Sequence, residues 1–302
     1  MKISANSHGP KLSGPKQSGS KLSGRLVKVA DVGLSDLEAM FAIFNRYYLN
    51  VTWDGFLRDF REKSHVILLR ERTTKQIRGF TTLKMFEAMV DGREVAGLFS
   101  GDTVIERDFW GQSALRSAFC RLLIVTWWRN LVATAGRRPC YWFLISKGYK
   151  TYLLLTNNFP THWPRHDRTT PAFEREVMRR FAENLYPGRL QARTLEGFGE
   201  KAGEACVLPF SNGAPCLREG VAPIRDELFA NPNIHFFERA NPGWREGHEL
   251  CCLAPIGPQI FLRFVCKSSF AVVKHAVRAA ARQVAQVARR GLKPAPADGS
   301  MQ

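Results

Sequence analysis

The order of apolar and polar positions predicts alternating strands and helices in the first half of the chain. Apolar residues recur at helical spacing from Leu37 to Tyr48 and again from Trp53 to Phe60. Between turns, shorter apolar runs of β-prone residues indicate strands. In chain order we predict a strand at 25–32, helices from 34 and at 53–60, and strands at 65–70, 77–87 and from 95.

The stretch 95–123 connects the last of these strands to a long helix. It reads VAGLFSGDTVIERDFWGQSALRSAFCRLL, with a small-residue turn at 100–102 and a helix from Ser113. This order points several backbone N–H groups at one spot, and the helix dipole favours an anion there. We expect either a phosphate cradle or an ordinary βα turn. A Walker loop is excluded because no Gly-Lys-Ser/Thr triplet is present.

The second half is less regular. The segment 113–135 is apolar almost all round, which predicts a buried helix, and the run 139–146 predicts a central strand. Residues 187–223 are rich in Gly, Pro and polar residues and receive no assignment. The other predictions are a helix or extended segment at 149–158, a helix at 171–185, strands at 233–239 and 249–255, and a helix at 268–290.

Positive charge is concentrated at the ends of the chain. The net charge of the 302 residues is +17, of which residues 1–24 carry +4 and residues 266–302 carry +6. The remaining +7 makes the body basic too, and such a surface attracts nucleic acid, anionic lipid, phosphorylated cofactors or acidic carrier proteins. We predict disordered tails at 1–24 and 291–302 and a basic amphipathic helix at 266–290. For that helix we favour packing on the domain, with an acidic protein second and lipid third.

The cysteines and the apolar runs bear on the compartment. Seven cysteines without a CxxC pair indicate reduced thiols, so we expect a cytoplasmic protein. We identify no signal peptide, and the most apolar run, 122–128, is far shorter than the roughly 20 residues of a membrane span. His162, His166 and Asp167 suggest a metal site only weakly because Pro164 breaks helical spacing, and we predict no metal.

The order of elements and the segment Trp110-Gly111-Gln112-Ser113-Ala114-Leu115 together resemble the GNAT acyltransferase superfamily. In that family the corresponding loop reads Arg/Gln-x-x-Gly-x-Gly/Ala, and its backbone amides hold the pyrophosphate of acyl-CoA. Here Gly111 and Gln112 match, whereas Trp110, Ser113 and Leu115 depart from the pattern. The resemblance covers 25–160 and implies a mixed, mostly antiparallel sheet flanked by helices, with 161–265 as an extension that completes the sheet and the substrate site.

The resemblance also implies a reaction and its residues. An acyl group moves from a thioester to an amine by direct attack, with no tightly bound cofactor. The bulky Trp110 and Leu115 would crowd a pyrophosphate, and acyl carrier protein, which carries phosphopantetheine without the nucleotide, would tolerate them better than acyl-CoA; both are expected donors. The implied donor-binding residues are Val104, Ile105, Gly111, Gln112, Ser113, Ala114 and Lys147, and the implied catalytic residues are Ser100 and Asp102 on the base side with Tyr149 and Tyr152 as acids.

Each of these residues also has a simpler interpretation. Asp102 suits a turn, Tyr149 and Tyr152 suit packing, and Lys147 suits a solvated strand end. For the whole chain, the alternative to an acyltransferase is a non-catalytic basic module that binds nucleic acid or an anionic membrane surface. No helix-turn-helix, KH or RRM signature supports the nucleic-acid alternative.

Overall fold

Strands alternate with helices along most of the chain. The computed structural model describes residues 20–195, 204–209, 213 and 215–259. The helices are α1 (Leu34–Tyr47), α2 (Trp53–Arg61), α3 (Ala114–Thr134), α4 (Tyr149–Asn158), α5 (Ala172–Leu185) and α6 (Pro232–Ala240). The strands are β1 (Leu22–Lys28), β2 (Tyr48–Leu49), β3 (His65–Glu71), β4 (Ile77–Val90), β5 (Arg93–Ile105), β6 (Cys140–Ser146), β7 (Gln191–Thr194), β8 (Glu204–Leu208), β9 (Cys216–Leu217) and β10 (Glu249–Pro255). The predicted strands at 65–70, 77–87, 139–146 and 249–255 are confirmed.

A mixed, mostly antiparallel sheet forms the middle layer. Its strand order is β1-β3-β4-β5-β6-β10-β8-β7, and β2 pairs separately with β9. Within the described chain, the neighbouring strands of the large sheet are antiparallel except β5 and β6, which are parallel. The fold class predicted from the sequence is therefore confirmed.

Helices cover both faces of this sheet. One face carries α3, α4 and α6, which bury Leu98, Trp142 and Leu144. On the other face, α1 and α2 pack on Phe80 and Val104, while α5 packs on the β5–β6–β10 region. Successive strand residues point to opposite faces, so each strand contributes to both cores.

The first strand corrects the predicted limit of the basic N-terminal tail, and the predicted strand at 25–32. β1 begins at Leu22, which is 1% exposed and pairs with Glu71 of β3. The apolar side chain is buried beneath α3, and the Leu22 N–H donates to Gln112 Oε1 at 3.3 Å. The sequence around Leu22 is repetitive and rich in Ser and Gly, so the pattern of apolar residues does not indicate a strand there.

The predicted strand at 233–239 is wrong, because this segment is helix α6. Asn231 caps the helix by accepting a hydrogen bond from the Asn233 N–H at 3.0 Å, and Pro232 occupies the first turn. The buried residues Ile234 and Phe237 are three apart, which is helical spacing. The cap and the proline outweigh the β-propensity of the aromatic residues.

The prediction that α3 is buried almost all round is also wrong. Leu122 and Leu123 face the core, but Val125 is 41%, Trp128 57% and Val132 66% exposed. The sheet covers one side of the helix only, so its uniform apolar composition does not report burial. The described residues contain no helix long and apolar enough to span a membrane.

Three sequence-based predictions concern residues outside the described part of the chain. These are the N-terminal tail up to residue 19, the helix at 266–290 and the tail at 291–302.

Candidate active site

An opening between β5 and β6 is the central feature of the site. The two strands pair from Ala96–Cys140 to Ser100–Leu144 and no further within the described ladder. At that point β5 bulges, so that Gly101 and Asp102 together lie opposite Thr82 of β4. A bulge bends its strand and breaks the regular ladder. The predicted turn at 100–102 is therefore a bulge within one continuous strand.

A cavity of about 1100 Å³ occupies this opening. Its wall includes the end of β5, the loop before α3, the first turn of α4, and residues of α2 and β10. Beyond the bulge, Thr103 and Val104 still pair with β4. The other edge of β5 faces the cavity, which leaves it available to an extended ligand with amide groups.

Three carboxyl groups and two lysines meet on the face of the sheet covered by α2 and α5. Lys63 donates to the Asp59 carboxylate at 2.7 Å, and Asp102 shares a hydrogen bond with Asp59. Lys147 pairs with Glu249 at 3.6 Å. All five residues border the cavity. When all three carboxyl groups and both lysines are charged, this carboxyl cluster has one negative charge in excess.

Burial changes the proton affinity of two of these carboxyls. Asp102 keeps part of its surface open to the cavity, yet its carboxyl is enclosed by protein, and desolvation raises its pKa to about 6. The nearby charge of Asp59 adds to this rise, while Lys147 and Lys63 oppose it. Desolvation likewise raises the pKa of Glu249 to about 7, against the attraction of Lys147. Near neutral pH, Asp102 can therefore accept a proton.

Two tyrosines border the carboxyl cluster. Tyr48, at the end of α1, lies with its ring 5.7 Å from the Lys147 amine. Burial, reinforced by the charges of Asp102 and Glu249, raises the pKa of its hydroxyl, and burial does the same for Tyr186. Both hydroxyls therefore stay neutral near pH 7.

The other end of the cavity leads to the N-terminus of α3. Gly111 adopts a left-handed backbone conformation, with φ of 77°, which glycine adopts without strain. The first N–H groups of a helix have no acceptor within the helix and carry partial positive charge. This end of the cavity is suited to an anion.

Trp110 borders the cavity next to Gly111. Its indole N–H donates to the Ile105 carbonyl at 2.7 Å, and Lys150 lies 4.2 Å from its ring. Arg107 lies 5.5 Å from the same ring. Desolvation lowers the pKa of Lys150, and the charge of Arg107 lowers it further. The rim here is cationic.

Only some of the predicted donor-binding residues border the cavity. Val104, Ile105, Gly111, Gln112 and Lys147 border the cavity, whereas Ser113 and Ala114 are not among its described wall residues. Gln112 also binds β1, because its Oε1 accepts from Ser20 Oγ at 2.9 Å.

Lys147 is not a solvated strand end. Its side chain is 11% exposed and pairs with Glu249.

Only two of the four predicted catalytic residues border the cavity. Asp102 and Ser100 border the cavity, and the Ser100 hydroxyl accepts a hydrogen bond from Trp142 Nε1 at 2.9 Å. Tyr149 and Tyr152 are missing from the described wall. Tyr152 is fully buried and donates to the Pro164 carbonyl at 2.9 Å. The assignment of both tyrosines as acids is corrected, because their side chains pack in the core below α4.

His162 is likewise held inside the protein. It is 6% exposed, and its Nδ1 lies 2.8 Å from the Phe159 carbonyl. Burial lowers its pKa to about 4. In the described residues, no group of three or more His, Cys, Asp or Glu side chains is arranged to hold a metal.

Sequence reasoning missed Asp59, Lys63 and Glu249. Two weak signals were present. Asp59 and Lys63 are four residues apart at the end of an amphipathic helix, and Glu249 directly precedes a fully apolar run. A charged residue at the edge of a buried strand needs a partner, but the sequence does not indicate which one.

No protein-family model matches the chain, and no curated protein matches it. Among solved structures, a GNAT family N-acetyltransferase from Escherichia coli in complex with CoA is 13% identical, with a TM-score of 0.34 over 53% of this chain and 81% of that chain. A Trypanosoma brucei acetyltransferase is 16% identical, with a TM-score of 0.31 over 50% and 97%.

A third similar structure covers more of this chain. It is an Enterococcus faecalis protein described as a probable N-acyltransferase, 11% identical, with a TM-score of 0.36 over 80% of this chain and 74% of that chain. All three TM-scores are below 0.5.

Proposed function

We propose that this protein transfers an acyl group from a phosphopantetheine thioester to an amine. One observation carries the proposal: the opening between β5 and β6 connects the N-terminal end of α3 to a buried carboxylate of raised pKa. A phosphorylated donor and a nucleophile that must lose a proton require these two ends.

The donor lies along the free edge of β5 in this proposal. Its amide groups pair with the backbone beyond the bulge, as an added strand does. Its phosphate faces Gly111, the first turn of α3 and Lys150 at the rim. Both acyl-CoA and acyl carrier protein present this phosphate, so the donor is either of them.

The acceptor amine enters from the side of the carboxyl cluster. The excess negative charge of Asp59, Asp102 and Glu249 over Lys63 and Lys147 attracts its ammonium form. Asp102 is the base. After the ammonium loses its proton, the nitrogen lone pair attacks the thioester carbon.

The reaction then completes without any further reagent. The C–N bond forms, the C–S bond breaks, and the sulfur leaves with the bonding electron pair as a thiolate. Asp102 takes the proton released from nitrogen, and the thiolate takes a proton from solvent. Asp102 then returns its proton to solvent.

Donor binding tests this proposal through one glycine and a matched control. Gly111 and Gly92 have φ of 77° and 75°, and at neither position does an added Cβ meet an atom within 4 Å. Alanine therefore introduces the same backbone strain, about 1 kcal/mol, at both. We expect Gly111→Ala to weaken acetyl-CoA or acyl carrier protein binding at least about ten-fold, because the loop N–H groups reorient. Gly92→Ala, in the β4–β5 turn, leaves binding unchanged.

Calorimetry with acetyl-CoA, long-chain acyl-CoA, acylated carrier protein and a DNA oligonucleotide at two salt concentrations provides the measurement. Thioester binding that persists at high salt supports the proposal and selects the donor. Binding of DNA alone, fading as salt rises, contradicts it and favours the basic binding module.

A further inference from the structure

An apolar stripe runs along the outer side of α3. Val125, Trp128 and Val132 are 41%, 57% and 66% exposed, and their spacing of three and four residues aligns them on one side of the helix. Leu122 and Leu123 face the core instead. Isolated exposed apolar residues are common, but an aligned stripe that includes a tryptophan indicates a binding surface. This stripe is separate from the cavity, and the inference does not depend on the proposed function.

The sequence beyond the described residues contains a matching stripe. Within 268–290 the apolar residues alternate at spacings of three and four: Phe270, Val273, Val277, Ala280, Val284 and Val287. This is the a/d pattern of helices that pack side by side. The basic residues Lys274, Arg278, Arg282 and Arg289 fall outside the pattern. Small Ala and Val side chains leave room for a large partner such as Trp128.

The described chain passes close to the C-terminal end of α3 shortly before residue 259. Ile256, just after β10, donates its N–H to the Cys140 carbonyl at 2.7 Å. Cys140 begins β6 only a few residues after the end of α3, so the chain leaves the sheet near the Val132 end of the stripe. The eleven residues from 259 to 270 reach up to about 36 Å. This reach exceeds the length of α3, which is about 31 Å.

The two lengths also agree. At 1.5 Å per residue, α3 extends over about 31 Å and the pattern from Phe270 to Val287 over about 26 Å. A helix that starts near Val132 and follows α3 back toward its N-terminus runs antiparallel to it. That direction sets the two helix dipoles in opposite senses.

We propose that residues 268–290 form a helix that packs antiparallel on the Val125–Trp128–Val132 stripe of α3. Arg121 and Arg129 lie on α3 near the stripe, and the segment is basic too, so charge repulsion opposes the contact and apolar burial drives it. Salt screens the repulsion. The contact therefore persists or tightens as salt rises, whereas binding of the same segment to an anionic surface weakens.

Hydrogen exchange of the full chain, read by mass spectrometry, tests the contact. Trp128→Glu and Val277→Glu place a charge on either side of it. Leu34→Glu, at a residue of α1 that is 64% exposed, and Arg278→Glu, beside the apolar pattern, are the matched controls. We expect peptides from 268–290 to exchange at least about ten-fold faster in the first two variants, with controls and wild type alike. Peptides from β3 and β4 check that the fold is intact.

Three outcomes overturn the proposal. The first is equal exchange of 268–290 in wild type and Trp128→Glu. The second is protection that disappears on dilution together with a halving of the mass in solution, since a second copy then covers the stripe. The third is protection only in the presence of anionic vesicles and its loss at 0.5 M salt, compared with about 0.05 M. Protection that is independent of concentration and retained at high salt supports the packed helix.

Discussion

At the scale of single residues, the proposed acyl transfer depends on Asp102 and the groups around it. The family resemblance implied Asp102, together with Ser100, on the base side, and in the structure a β-bulge lies at Gly101 and Asp102. Its partners, Asp59 on α2 and Glu249 on β10, lie far away in sequence. No local pattern connects them, because only the folded sheet brings these ends together.

The raised pKa of Asp102 has a consequence for stability. The folded protein holds this proton up to about pH 6, whereas an unfolded Asp loses it near 3.8. The stability it contributes is therefore complete below about pH 4 and lost as pH rises through 6. Glu249, with its pKa at about 7, changes stability in the same direction.

We expect Asp102→Asn to be more stable than wild type at pH 8 and equally stable at pH 4. Asparagine carries no buried charge and still donates a hydrogen bond to Asp59. The expected gain at pH 8 is of the order of 2 kcal/mol. Urea unfolding at the two pH values measures it, with the exposed Asp31→Asn as control. A loss of stability at pH 8 contradicts the assignment of a raised pKa.

At the scale of elements, helix and strand types followed from periodicity wherever local signals agreed. Trp53–Arg61 and Ala172–Leu185 became the amphipathic helices that their patterns predict. The predicted strand at 233–239 failed because an asparagine cap and a proline decide for helix over aromatic β-propensity. The burial predicted for α3 failed because composition does not show which side the sheet covers.

The contact of α3 with β1 depends on one glycine. A Cβ on Gly24 falls 2.8 Å from Ala118 Cβ and 3.2 Å from the Ala114 carbonyl oxygen. We expect Gly24→Ala to destabilise the protein by about 1–3 kcal/mol, because helix and strand must move apart. Gly257→Ala, where a Cβ meets nothing within 4 Å, is the control. Equal midpoints of thermal unfolding for both variants contradict the close packing of α3.

At the scale of the whole molecule, the net charge of the chain and the charge inside the cavity have opposite signs. The chain is strongly basic, yet the inner end of the cavity carries three carboxyl groups, while Lys150 lies at its outer rim. Net charge alone suggested acidic partners, and it gave no sign of the acidic end. That arrangement suits an anionic donor at the rim and a cationic acceptor inside.

The most direct test of the account is the pH dependence of thiol release from acetyl-CoA, long-chain acyl-CoA and acylated carrier protein. Each donor is combined with a pool of primary amines, and mass spectrometry identifies the acylated product. With the donor that turns over, the wild-type rate rises as pH passes through about 6 because Asp102 loses its proton. Asp102→Asn is expected to bind the donor normally, to turn over at least about 100-fold more slowly and to lose that step. An Asp102→Asn variant with the wild-type rate and pH profile would contradict the assignment of Asp102 as the base.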